Sequence, residues 1–141
     1  MADLESLIRL RKHEVEERQK LLSEIYRRME ALENQKLNLQ QKLERERKAL
    51  DDNMMPEAYA YYGRFEGAVR NDIDRLTSEI QALEQELSAA QEHVRAAFEE
   101  QKRVEIVHQR RNDEKALVQK SKEAQELDDI GIEGFRRKKE D

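Results

Sequence analysis

Residues 51–56 read Asp51-Asp52-Asn53-Met54-Met55-Pro56 and contain the only proline of the chain. Proline disfavours helix at the residue before it and fits well in the first turn of a following helix. Asp and Asn are common turn and N-cap residues, and a carboxylate such as that of Glu57 suits the start of a helix. This stretch therefore predicts a break between two helices, with a turn at about residues 52–56.

Before this break, apolar residues recur at alternating steps of three and four. Ten of fourteen successive positions between residues 4 and 50 are apolar, namely Leu4, Ile8, Val15, Leu22, Ile25, Met29, Leu32, Leu39, Leu43 and Leu50. The other four are Arg11, Arg18, Lys36 and Glu46. Such spacing is typical of the a and d positions of a coiled coil. It predicts a first helix at about residues 3–51.

The same spacing returns after the break. Its positions are all apolar or small, namely Val69, Ile73, Leu76, Ile80, Leu83, Leu87, Ala90, Val94 and Ala97. The pattern continues more weakly through Val104 and is lost at His108, Arg111 and Lys115. Leu127–Gly131 resembles a helix end, because glycine readily takes the left-handed C-cap conformation. We expect a second helix at about 57–129 and a disordered basic tail at 132–141.

Composition agrees with helices and argues against a broad core. Charged residues make up 42% of the 141 residues and aromatic residues 5%, with four Gly and one Pro. Since the break is short, each apolar stripe finds its nearest partner on the same chain. The predicted fold is all-α, a long antiparallel two-helix coiled-coil hairpin with a longer second helix, forming one domain over residues 1–131. Its unpaired overhang would comprise residues 105–129. The alternative is one continuous rod that dimerises in parallel, and Pro56 weighs against it.

Several function classes find no support in the sequence. The chain has no Cys, no apolar run of membrane-spanning length, no secretory leader and no phosphate-binding or nucleophile motif. One interpretation of His13 and His108 is a metal site with Glu14 or Glu105, but solvated histidines are the favoured interpretation. We therefore expect a soluble, cytoplasmic non-enzyme without metal or cofactor.

Two surfaces stand out as candidates for binding. Four of the seven aromatic residues follow the break, namely Tyr59, Tyr61, Tyr62 and Phe65. They are suited either to packing at the hairpin tip or to anchoring a partner. Net charge is −8 over residues 51–100 and +4 over residues 102–122. The basic stretch is either a solvated face or a docking site for an acidic protein surface. Nucleic acid is not the expected partner, because acidic residues interrupt the basic run and stacking aromatics are absent.

Four stretches together resemble a known family. They are Leu7-Ile8-Arg9-Leu10-Arg11-Lys12 with Val15-Glu16-Glu17-Arg18; Tyr62-Gly63-Arg64-Phe65 with Val69; Lys102-Arg103-Val104-Glu105 with Arg110-Arg111 and Glu114; and Glu126-Leu127-Asp128-Asp129-Ile130. In these stretches and in their order, the chain resembles the flagellar FliJ family, which is related to the YscO-type stalk proteins of virulence type III secretion. The resemblance extends over nearly the whole chain.

The resemblance implies a stalk-like component of the flagellar type III export apparatus. Its implied partners are the export ATPase ring, the cytoplasmic domain of the export gate and export chaperones. The protein would be a monomer or weak dimer, held at the inner face of the cell membrane only through these partners. Implied gate contacts lie at Tyr62, Phe65 and Val69, whereas Asp72 and Leu76 depart from the family pattern. Implied ATPase contacts lie at the open end, at Leu7, Arg11, Lys102, Arg103, Arg110 and Arg111.

Two other functions remain open at this point. One is a self-associating coiled-coil scaffold that uses the overhang for oligomerisation. The other is a hairpin chaperone that holds unfolded clients at a tip formed by Met54, Met55 and Tyr59–Tyr62.

Overall fold

The chain forms two α-helices in a computed structural model, which describes residues 2–52 and 55–140. Helix α1 spans Ala2–Asp51 and helix α2 spans Pro56–Glu140. Within the described residues there is no strand. Pro56 is the first residue of α2, where its missing N–H costs no helical hydrogen bond. Asn53 and Met54 of the predicted turn lie outside the described residues, as does Asp141 of the predicted tail.

Contacts divide the chain into two units. One unit comprises Glu14–Ala97, and the other comprises Met1–His13 together with Phe98–Asp141. We call the first the hairpin unit and the second the terminal unit. The single domain predicted over residues 1–131 stays a prediction.

The hairpin unit pairs α1 and α2 in antiparallel orientation. Gln91 Nε2 donates a hydrogen bond to Tyr26 Oη at 3.0 Å. Farther along α1, the Lys42 ammonium lies 5.5 Å from the centroid of the Phe65 ring. As the residue number increases along α1, the residue number of the contacting residue on α2 decreases, so the two helices run antiparallel. The predicted all-α helical hairpin is confirmed.

The buried seam of the hairpin unit follows the predicted heptad positions. Its buried members are Val15, Val69, Leu76, Ile80 and Leu83. The other seam positions of α2 between residues 69 and 97 are half-buried. On α1, Arg18 and Glu46 are exposed, since both are charged and lie on a seam only one side chain deep. Fully burying a large aliphatic side chain contributes about 1.5–3 kcal/mol, so each of these residues stabilises the pairing of the two helices.

The terminal unit contains a long exposed part of α2. Every residue from 109 to 139 is exposed, and we call this segment the exposed arm. Before it, residues 100, 101, 104, 105 and 108 are half-buried, as are Leu4, Leu7 and Ile8 of α1. The start of α1 therefore covers one face of α2 only as far as about residue 108.

The predicted end of the second helix was wrong. Helix α2 continues through Gly131 and Gly134 to Glu140, so the segment predicted as a disordered tail is helical as far as it is described. Neither glycine has a positive φ. Favourable contacts at helical spacing support this last stretch. Glu133 pairs with Arg137 at 4.0 Å, and the Lys139 ammonium lies 5.7 Å from the Phe135 ring centroid. Basic residues in the last turn also suit the helix dipole.

Candidate partner-binding surfaces

The aromatic residues at the start of α2 form a surface with an exposed and a covered side. Tyr59 and Tyr61 are 52% and 62% exposed, whereas Tyr62 and Phe65 are half-buried. The rings of Tyr61 and Phe65 stack with centroids 6.5 Å apart and an interplanar angle of 13°. We call the group of Met55, Tyr59 and Tyr61 the tip surface, because all three are more than half exposed.

Phe65 is held in place from the opposite helix. Its ring lies beneath the Lys42 ammonium and against Tyr61, so contacts on both sides limit its rotation. A cation over an aromatic face contributes about 0.5–1 kcal/mol at an exposed site. Phe65 therefore supports Tyr61 as well as offering part of its own ring to a partner.

Val69 differs from the other residues expected at the gate contact. Its side chain is only 6% exposed and packs in the seam of the hairpin unit. A side chain buried in this way contributes to pairing of the helices and offers almost no surface to another protein. The exposed aromatic side chains at this end are those of Tyr59 and Tyr61, which the sequence placed in the aromatic group without assigning either to the gate.

The residues predicted for ATPase contact lie within the terminal unit. Leu7 and Arg11 are half-buried on α1, and Arg110 and Arg111 are exposed on α2. Lys102 and Arg103 are exposed but already engaged within α2. The Lys102 ammonium lies 3.3 Å from Glu105 Oε2, and Arg103 Nη1 lies 2.6 Å from Glu100 Oε1. A partner carboxylate must therefore share or displace these intrahelical pairs, which leaves Arg110 and Arg111 as the more accessible cations.

Glu105 lies where α1 and α2 of the terminal unit approach each other. Gln101 Nε2 donates a hydrogen bond to its carboxylate at 2.9 Å, and Lys102 donates another. These hydrogen bonds, with the nearby charges of Lys102 and Lys12, hold the pKa of Glu105 below its ordinary value. The carboxylate is therefore ionised at neutral pH and offsets part of the positive charge here.

A groove of about 630 Å³ runs along the terminal unit. Its lining joins one residue of α1 to a longer stretch of α2, namely Leu4, His108, Arg111, Asn112, Glu114, Lys115, Val118, Gln119 and Lys122. Three of these residues are permanently cationic and one is anionic, while Leu4 and Val118 provide apolar contact. The groove thus suits an acidic helix with an apolar edge. The sequence identified the positive charge of this stretch of α2. It did not place Leu4 of α1 and Val118 of α2 in one groove, because that depends on how the two helices pack.

The described residues hold no group of three or more side chains placed to bind a metal ion. His108 lies at the groove, with its Nε2 3.3 Å from Asn112 Nδ2, and it is not joined there by a metal-binding cluster. Within the part of the chain that the structure describes, neither helix has a stretch apolar enough to cross a bilayer.

Comparison with known proteins gives one informative result. No curated protein and no solved structure matches the chain significantly. The family model described as flagellar FliJ protein matches residues 1–140. This match includes both helices and all the candidate surfaces described above. The chain therefore belongs to the flagellar FliJ family.

Proposed function

We propose that this chain is a non-enzymatic, stalk-like component of the flagellar export apparatus. It binds the export ATPase ring through the terminal unit and the cytoplasmic domain of the export gate through the tip surface. It also escorts empty export chaperones, and it stays in the cytoplasm at the inner face of the membrane by holding these partners. Membership of the family supports a role in flagellar export, and the exposed surfaces support the assignment of contacts.

The observation that carries the ATPase contact is the groove of the terminal unit. Arg111, Lys115 and Lys122 line it beside the apolar Leu4 and Val118. A helix that presents carboxylates next to an apolar edge would satisfy both kinds of group. Charge complementarity would speed association, and contact with the apolar edge would slow release.

A charge reversal tests the ATPase contact. The variant R110E/R111E should bind the purified export ATPase at least about tenfold more weakly, because two exposed cations are replaced by anions. The matched control R45E/R47E makes the same charge change at exposed positions of the hairpin unit. Affinity is measured by calorimetric titration, and circular dichroism checks that helicity is retained. Unchanged affinity of R110E/R111E, or an equal loss in the control, would contradict the assignment.

Tyrosine replacement tests the gate contact. Tyr61 is 62% exposed and makes few demands on the fold, so Y61A should retain helicity while weakening gate binding by about tenfold or more. Tyr26 is a matched control, since it is a tyrosine of the same unit with 48% exposure. Y26A should bind the gate domain as the unchanged protein does. Equal affinity of Y61A and Y26A would remove the tip surface from the gate contact.

A further inference from the structure

The exposed arm carries apolar side chains that the other described residues leave largely uncovered. Six large apolar residues on it are more than half exposed, namely Leu117, Val118, Leu127, Ile130, Ile132 and Phe135. Most helices in proteins are stabilised by packing of an apolar face rather than by intrinsic propensity alone. An arm of this composition therefore gains stability when a second surface covers it.

Part of this apolar surface forms a continuous stripe. Residues Leu117, Ser121, Ala124, Leu127, Gly131 and Phe135 follow one another at steps of three or four. Such steps place them on one face of a helix. Leu127, Gly131 and Phe135 line a shallow groove of about 640 Å³ on this face. Three members of the stripe are small, so another helix can approach closely, and the stripe suits a helical occupant.

The charge of the arm identifies that occupant. Residues 109–122 carry five basic and two acidic side chains, a net charge of +3. Residues 123–135 carry five acidic side chains and no basic one, a net charge of −5. We call these the basic block and the acidic block. Residues 109–135 of the arm are thus complementary to the same residues reversed in direction, and the four basic residues 136–139 lie beyond this segment.

Orientation follows from the length of these blocks. At 1.5 Å per residue each block is about 20 Å long, which exceeds the Debye length of about 8 Å at physiological salt. Two arms in parallel would set like charges side by side along both blocks. Two antiparallel arms would set the basic block of each copy beside the acidic block of the other. Antiparallel pairing is therefore the favoured arrangement.

We propose that the exposed arm binds the same arm of a second copy of this chain, antiparallel, about a two-fold axis near the boundary between Lys122 and Glu123. Such an interface is isologous, so each contact occurs twice. The pairing covers the stripe and the basic block, including Arg110 and Arg111. Self-association and the proposed ATPase contact therefore exclude each other, and the dimer is the form free of ATPase. The pairing itself does not depend on the proposed function.

Two charge-reversed variants and their mixture test the pairing. The first variant makes the basic block acidic through K115E, K120E and K122E. The second makes the acidic block basic through E123K, E126K and D129K. Each variant alone should sediment as a monomer, because both of its blocks then carry one sign. An equimolar mixture should recover association, since the first variant's blocks face blocks of opposite charge on the second. A matched control, R45E/R47E/K48E, changes as much charge in the hairpin unit and should associate as the unchanged protein does.

The measurements use the full chain alone, without any export component. Sedimentation velocity of the unchanged protein should show a dimer at high micromolar concentration and low salt that dissociates as salt is raised. Because the chain has no Cys, Q119C allows dye attachment near the proposed axis on the side of the helix away from the stripe, and energy transfer between copies reports their approach. Circular dichroism confirms that each variant stays helical.

Three results would overturn the proposal. They are a monomer at every concentration and salt level, association of either charge-reversed variant as strong as that of the unchanged protein, and failure of the mixture to associate. None of them bears on binding to the ATPase, which is measured separately with R110E/R111E. A dimer of the unchanged protein that salt weakens supports antiparallel pairing, because salt would strengthen a parallel pair by screening its like charges. Loss of the dimer in each variant and its recovery in the mixture show that the charged blocks form the contact.

Discussion

Leu83 is the position where loss of a seam contact should be most costly. Its side chain is 3% exposed, the lowest value among the buried residues of the described chain. Leu-to-Ala changes in protein cores cost about 2–5 kcal/mol, as the sum of lost transfer energy and the cavity left behind. No described side chain is less than 2% exposed, because a seam between two helices is shallow and lets water or neighbours relax into the space. We therefore expect L83A to cost about 2–3 kcal/mol, near the lower end of that range.

This cost should appear in the thermal unfolding of the hairpin unit. For a cooperative unit of fewer than 100 residues, each kcal/mol lowers the melting temperature by about 4–8 °C, so L83A should melt about 8–24 °C lower. Far-UV circular dichroism follows the melt, and urea titration gives the free energy of unfolding independently.

Leu37 provides the matched control. It undergoes the same chemical change in the same unit but is 49% exposed, so L37A should alter stability by no more than about 0.5 kcal/mol. Equal destabilisation by L83A and L37A would refute the assignment of the seam. So would an L83A protein as stable as the unchanged one.

Two other substitutions examine the terminal unit. Gly131 has no positive φ, and a Cβ added there would meet no atom within 4 Å, so G131A should strengthen the end of α2 by about 1 kcal/mol. Slower amide exchange over residues 123–139 would show this, whereas faster exchange would mean that the glycine is needed. Glu105 has a lowered pKa in the folded chain, so its contribution to stability is complete above about pH 4.5 and is lost as pH falls through the lowered pKa. E105Q should therefore make the stability of the terminal unit less sensitive to acid in that window, and an unchanged pH profile would argue against the Gln101 and Lys102 hydrogen bonds.

The sequence predicted the structure correctly where the structure depends on neighbouring residues or on a periodic apolar pattern. The heptad positions of α2 from Val69 to Ala97 are all buried or half-buried, as the spacing predicts. The helix break before Pro56 was also predicted from the sequence, because proline disfavours helical geometry at the residue before it. Residue type was less reliable at the second helix end. Glycine at position 131 suggested a C-cap, but α2 continues through it and the residue has no positive φ, so it takes ordinary helical geometry.

Which side chains are accessible on the candidate surfaces depends on the fold more strongly than on residue type. Sequence alone identified the aromatic group and the basic stretch, and the structure shows that Tyr61 is exposed whereas Tyr62, one residue later, is half-buried. The family resemblance implied a gate contact at Val69, whereas the spacing placed Val69 in the seam, where its side chain is only 6% exposed. A rotation of about 100° per residue separates neighbours on a helix, so accessibility is decided by the direction of the partner helix and not by residue type.

By itself the sequence determined that this protein is helical, that the first helix ends just before Pro56, and that an apolar stripe runs along each helix. These properties follow from propensity and periodicity, which act over a few residues. Only the tertiary structure decided which aromatic side chains face outward and which cations line the groove. Those properties depend on contacts between residues far apart in the chain, such as Lys42 with Phe65 or Tyr26 with Gln91, and no local pattern specifies them.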